Sequence, residues 1–312
     1  MLLLLACVEA DPKPADSADD RGDTDEVGPD PATVALTGEC PLESHLGGFV
    51  VEVYTDYSIV DGSVSDGVVP ITILEEIARA GDCVMRRRDN PFCNPACGPD
   101  ETCDFDGTCL PYPTEQDLGT VRVTGLVDAV AMEPLPPGAR YFDTRLSHPA
   151  FTPGALVELT AGGWVGEVVL HGVGVAPILP GEPTWSLRTG EDLVVSWDVP
   201  TGVVRAEVAL RVSVDQHGSS PASLACAFAD DGEGTVPASL VDALRAAGVS
   251  GFPSGLLSRR TADHVDLPEG CMDFVVGTPR VPDVRVDGVT PCDEQADCPE
   301  GTSCNLALEI CE

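Results

Sequence analysis

Twelve cysteines beyond the N-terminal leader set the first limit on what this chain can fold into. They are Cys40, Cys83, Cys93, Cys97, Cys103, Cys109, Cys226, Cys271, Cys292, Cys298, Cys304 and Cys311; the thirteenth, Cys7, stands in the leader. An even set of this size, in a chain with export features, reads as six disulfides formed in an oxidising compartment. Zinc would need CxxC pairs or histidines at ligand spacing. There is no CxxC, and His45, His148, His171, His217 and His264 are scattered, so neither a metal nor a cofactor is expected. Cys40 and Cys83 bracket one stretch and are expected to pair with each other. Cys226 and Cys271 are expected to staple two strands of a larger domain.

The chain between the cysteines reads as mainly β. Aromatics are sparse at 5%, while 32 Gly and 28 Pro supply turns, a mix that suits short strands better than a helical bundle. No apolar run approaches the roughly 20 residues of a membrane-spanning helix. A small β-rich unit is expected over 33–90, with strands at 49–54 and 58–64. A helix is expected over 70–80, with Pro70 in its first turn, an apolar stripe of Ile73, Leu74 and Ile77, and Gly81 at its end. The main domain, 117–288, is expected to be an antiparallel β-sandwich or jelly roll. Its strands fall at 120–127, 155–159, 165–170, 192–197, 203–214, 223–228 and 272–276, and one helix at 237–247. Trp197 alternates with polar neighbours and reads as core.

Two short segments, 91–112 and 289–312, hold the other eight cysteines. The first is CNPACGPDETCDFDGTC, with gaps of three, five and five residues; the second is CDEQADCPEGTSCNLALEIC, with gaps of five, five and six. The middle gaps are equal and CGPDETC aligns with CPEGTSC, so this is an internal repeat. Neither segment can build a core, and crosslinks must hold each of them. These knuckles resemble the Dickkopf-type and EGF-like cysteine-rich modules of secreted proteins, among them surface lipoproteins of myxobacteria and their relatives. The resemblance covers about 40 residues and implies first-to-third and second-to-fourth pairing: Cys93–Cys103, Cys97–Cys109, Cys292–Cys304 and Cys298–Cys311. It implies no particular ligand.

The chain opens Met1-Leu2-Leu3-Leu4-Leu5-Ala6-Cys7. Leu4-Leu5-Ala6-Cys7 is similar to the bacterial lipobox, which implies cleavage after Ala6 and diacylglycerol on the Cys7 sulfur. Residues 1–7 are short for a signal peptide and lack a basic residue, so the start codon is expected upstream. Residues 8–32 (VEADPKPADSADDRGDTDEVGPDPA) offer almost nothing to a core and are expected to be a disordered acidic tether. Val8 follows Cys7, and by resemblance to lipoprotein sorting in diderm bacteria this implies the outer membrane.

Charge narrows the partners. Against 52 acidic residues stand 17 basic ones, a formal net charge of −35, and every base except Lys13 is an arginine. Such a surface repels phosphate backbones and anionic headgroups, so nucleic acid is excluded and membrane contact must come through the lipid. A protein or glycan ligand at the cell surface remains open.

Catalysis has little foothold. In Asp215-Gln216-His217-Gly218-Ser219-Ser220 a base neighbours a hydroxyl, but adjacent strand residues face opposite ways, and no G-x-S-x-G elbow exists; Gly248-Val249-Ser250-Gly251 falls one residue short. No P-loop or dinucleotide fingerprint is present. The acidic loops Asp104-Phe105-Asp106-Gly107 and Asp230-Asp231-Gly232-Glu233-Gly234 could attract calcium, yet neither has EF-hand spacing, and both read first as turns. The expectation is a non-enzymatic, lipid-anchored envelope protein with a structural or binding role. A hydrolase with His217 as its base is the alternative.

Overall fold

The computed structural model describes residues 30–31, 33–70, 73–88, 92–202, 205–214, 221–248 and 253–312. The first strands are β1 (His45–Val53), β2 (Ser58–Val64), β3 (Glu75–Ala80) and β4 (Cys83–Arg87), followed in the first knuckle by β5 (Glu101–Cys103) and β6 (Cys109–Pro111). Next come β7 (Val121–Thr124), β8 (Val130–Met132), β9 (Tyr141–Asp143), β10 (Leu156–Ala161) and β11 (Val168–Val173). The series continues with β12 (Thr184–Leu187), β13 (Leu193–Ser196), β14 (Glu207–Val214), β15 (Ala222–Ala229), β16 (Glu233–Val236) and the helix α1 (Ala238–Ala246). Two long strands, β17 (Ser254–Leu267) and β18 (Gly270–Arg280), precede β19 (Asp283–Val286) and the knuckle strands β20 (Cys304–Asn305) and β21 (Ile310–Cys311).

The mainly-β expectation holds. One large sheet runs β3-β4-β15-β14-β17-β18-β1-β2-β9, with β19 joining β17 and carrying β12 beside it. A second sheet, β11-β10-β7-β8, lies over the β1, β2 and β18 end, and the two enclose a core around Phe49, Val51, Tyr141, Leu159 and Phe274. A separate core around Leu210, Leu224, Trp197 and Leu257 fills the other end, roofed by α1 and the β13–β16 and β12–β19 pairs. Burial alternates along the strands, as in β10 and β14, because successive side chains face opposite sides.

The division of the chain differs from expectation. Residues 33–90 are not a separate unit: β3 and β4 form one edge of the large sheet, while β1 and β2 sit near the other, β1 running parallel to β18. Four strands of this length could not cover an apolar face of their own, so they share the main domain's. The cysteine pairing follows the same logic and corrects both long-range expectations. Cys40 bonds Cys271, not Cys83, and Cys83 bonds Cys226 across the β4–β15 pair. In the knuckles the bonds are Cys93–Cys103, Cys97–Cys109, Cys292–Cys304 and Cys298–Cys311, the pattern the resemblance implies. Peptide mapping of the oxidised protein should therefore recover Cys40 linked to Cys271 and Cys83 linked to Cys226. A Cys40–Cys83 peptide, or free thiol at these positions, would contradict this fold.

Of the helix expected over 70–80, residues 75–80 form a strand instead. Glu75–Ala80 pairs with β4, and Gly81, placed as a helix cap, instead takes φ 56° in the turn of the β3–β4 hairpin. Ala78 and Ala80 meet the core, while Ile77 of the supposed stripe is exposed. A neighbouring strand overrode the local pattern. The other expected helix is present as α1, with the Asp192 carboxylate accepting the Ala238 N–H at its start.

A polar spine joins the two cores. Arg259 of β17 is fully buried, its guanidinium paired with the Asp230 carboxylate at 2.7 Å and donating to the carbonyls of Ala176, Pro177 and Asp198. Trp197 is core, as expected, and its ring N–H donates to the same carboxylate at 2.9 Å. Two and four residues further on, Thr261 accepts the Val173 N–H and Asp263 accepts those of His171 and Thr37. These side chains hold β11 and the chain after it against the large sheet.

Candidate binding groove on the open sheet face

Beyond the segment carrying Cys40, no second layer of strands among the described residues covers the outer face of β3, β4, β15, β14 and β17. Its residues follow from register. One row reads Arg79, Val84, Ala225, Arg211 and Leu256 across the five strands, and the next reads Glu76, Arg86, Ser223, Ser213 and Ser254. The inward alternates, including Met85, Leu210 and Leu224, are buried. Small side chains over β15 and β14 leave the floor low. One wall is the chain at 39–43, held by the Cys40–Cys271 bond, by Glu39 on Arg260, and by the Gly38 N–H donated to the Ala262 carbonyl at 3.0 Å. Between this wall and the β3 edge lies a groove of about 570 Å³.

Four of the chain's sixteen arginines line it: Arg79, Arg86, Arg211 and Arg260. Arg260 is shared by Glu39 and Glu207, with its Nε donating to Glu207 at 3.0 Å. Arg79 forks onto Glu76 at 2.6 and 2.9 Å, and this hydrogen bond holds the Glu76 carboxyl below its ordinary pKa. Among the described residues, Arg86 and Arg211 form no ion pair within 4 Å. Beside the wall, the His45 Nε2–H donates to the Asp273 carboxylate at 3.2 Å, and that hydrogen bond raises the His45 pKa despite the opposing cost of burial. Fixed guanidinium forks on a low floor suit carboxylates or other planar oxyanions.

Other expected site residues are placed as follows. Cys7 and residues 215–220, with Asp215, His217 and Ser219, lie outside the described residues, as do residues 249–251. Of the acidic loops, Asp106 accepts the Thr108 N–H and hydroxyl within its own turn, and Asp230 is committed to Arg259 and Trp197. Each of the three described clusters of metal-type donors includes cysteine already bound in a disulfide: Cys93, Cys97 and Cys103; Cys292, Cys298 and Cys311; and Cys271 beside His264 and Asp266. No helix among the described residues is long and apolar enough to cross a membrane.

Sequence reasoning missed the groove. Its arginines come from four strands, and only register brings them together. One signal was available: in a chain with only 17 basic residues, Arg79, Arg86, Arg87 and Arg88 cluster within ten residues.

No protein-family profile and no curated protein matches the chain. Among solved structures it is similar to the FN1-FN3 domains of chicken CNTN1, at 6% identity and a TM-score of 0.18 over 71% of each chain. A likeness of that size assigns no family and no activity.

Proposed function

We propose that this chain is an exported envelope protein, anchored to the outer membrane by lipid on Cys7 and acting as a binding protein rather than as a catalyst. The observation that carries the binding role is the groove itself, where four arginines stand among Glu39, Glu43 and Glu76, a near-balanced patch on a molecule of net charge −35. Six closed disulfides support export, since such bonds persist outside reducing compartments. The lipobox-like Leu4-Leu5-Ala6-Cys7 and the acidic stretch after it support lipid attachment. An acidic body would be repelled by anionic headgroups, so acyl chains would supply the membrane affinity, at about 0.8 kcal/mol per buried methylene. Expressed in a diderm bacterium behind a complete signal peptide, the protein is expected to incorporate labelled palmitate and to partition into detergent. Cys7→Ser should abolish both. A wild-type protein that stays unlabelled and aqueous would overturn the anchor.

A further inference from the structure

The groove gathers four arginines on one face of an acidic molecule. Arg79 and Arg260 are ion-paired with Glu76, Glu39 and Glu207, whereas among the described residues Arg86 and Arg211 form no ion pair within 4 Å, although Glu76 stands opposite Arg86 and feels its charge. Register places them two strands and two residues apart, about 12 Å between Cα atoms from ordinary strand spacing and rise. An anionic occupant that engages both would offer its charges at about that interval. It must also be slender enough to lie on the Ala225, Ser213 and Ser223 floor.

The chain itself carries such a segment. Residues 8–32 hold nine carboxylates against Lys13 and Arg21, and they precede by a few residues the 39–43 stretch that forms the groove wall. Within it, Asp16, Asp19, Asp20 and Asp23 recur at three- and four-residue steps. In extended chain four residues span about 13 Å, which matches the interval between the two arginines. Covalent connection adds effective concentration, in the millimolar range for short flexible linkers, so weak ion pairs suffice to populate the contact. Elsewhere the body is acidic and repels the segment.

We propose that the acidic segment 8–32 of the same chain docks in this groove, its aspartates on Arg86 and Arg211, so that an external anionic ligand must displace it. The inference rests on the reading of the groove as a binding surface. Docking would also hold the folded body close to its anchor until a ligand competes.

Phenylglyoxal labelling of arginine, read by mass after digestion, tests this on the oxidised 8–312 chain. Arg122, exposed on the second sheet, is the internal reference. At low salt, Arg86 and Arg211 are expected to react about fivefold more slowly than in a variant with Asp16, Asp19, Asp20 and Asp23 changed to Asn, as a tethered contact would give. High salt should remove the difference. Equal rates in the two proteins at low salt would overturn the docking. Protection that persists in the Asn variant and grows with protein concentration would instead assign the groove to a second copy, and would equally overturn it. Poly-aspartate added to the Asn variant separates the two levels. If it protects both arginines while the native segment does not, the docking fails and the binding surface stands; if it does not protect them either, both fail.

Discussion

Replacing Arg259 by leucine is expected to cost the folded state about 3–5 kcal/mol, the range for breaking a buried ion pair by removing one partner. The guanidinium satisfies the Asp230 carboxylate and three backbone carbonyls in a place with no water access of its own. Leucine would leave that carboxylate with only the Trp197 N–H and would remove the guanidinium's hydrogen bonds to the carbonyls of Ala176, Pro177 and Asp198, of which Ala176 keeps the Thr278 hydroxyl. Arg259→Lys should recover part of the loss, since a single ammonium keeps the charge but not the planar fork. The effect should reach both cores, because β17 contributes Leu257 to one and packs Val265 and Leu267 against the other. Urea unfolding with all disulfides intact is the measurement. A loss below 1 kcal/mol for the leucine variant would show that the spine is not holding the two halves together.

Cys40→Ser with Cys271→Ser is expected to act on the whole body, whereas Cys298→Ser with Cys311→Ser should act locally. The first bond links residues 231 apart, but the Cys83–Cys226 bond is nested inside it and shortens the loop it closes. By chain entropy alone its removal should still cost about 4 kcal/mol. It should also free the 39–43 wall of the groove. The Cys298–Cys311 bond spans 13 residues within a segment that has no core of its own. Its loss should expose 289–312 to protease and leave the main cooperative transition in place. Limited proteolysis and thermal melting of both double variants decide the matter. Collapse of the body with the C-terminal knuckle would mean that the boundary near residue 289 is wrong.

Where the governing interactions are local, the sequence was readable. The knuckles could be recognised because closely spaced cysteines repeat in two segments too short for a core, and their pairing followed from the resemblance to known cysteine-rich modules. Alternation revealed β14 and β15, and α1 was marked by Pro237 before it and Gly248 after it. The stretch at 75–80 misled because its apolar spacing fits a helix, while the hydrogen bonds that decide its conformation come from β4. β17 went unseen because Ser258-Arg259-Arg260-Thr261-Ala262-Asp263 reads as polar surface. Those polar groups are buried only because partners far along the chain satisfy them.

By itself, then, the sequence determined that the chain would be β-rich, crosslinked six times, acidic, and provided with two coreless knuckles. Composition, turn residues and cysteine spacing act over a few residues and need no knowledge of the fold. Only the tertiary structure decided that Cys40 meets Cys271, that residues 33–90 complete the main sheet, and that Arg79, Arg86, Arg211 and Arg260 share one groove. Each of these depends on which strand lies beside which. That choice is made by covering two apolar faces at once, a condition on the whole chain that no local window contains.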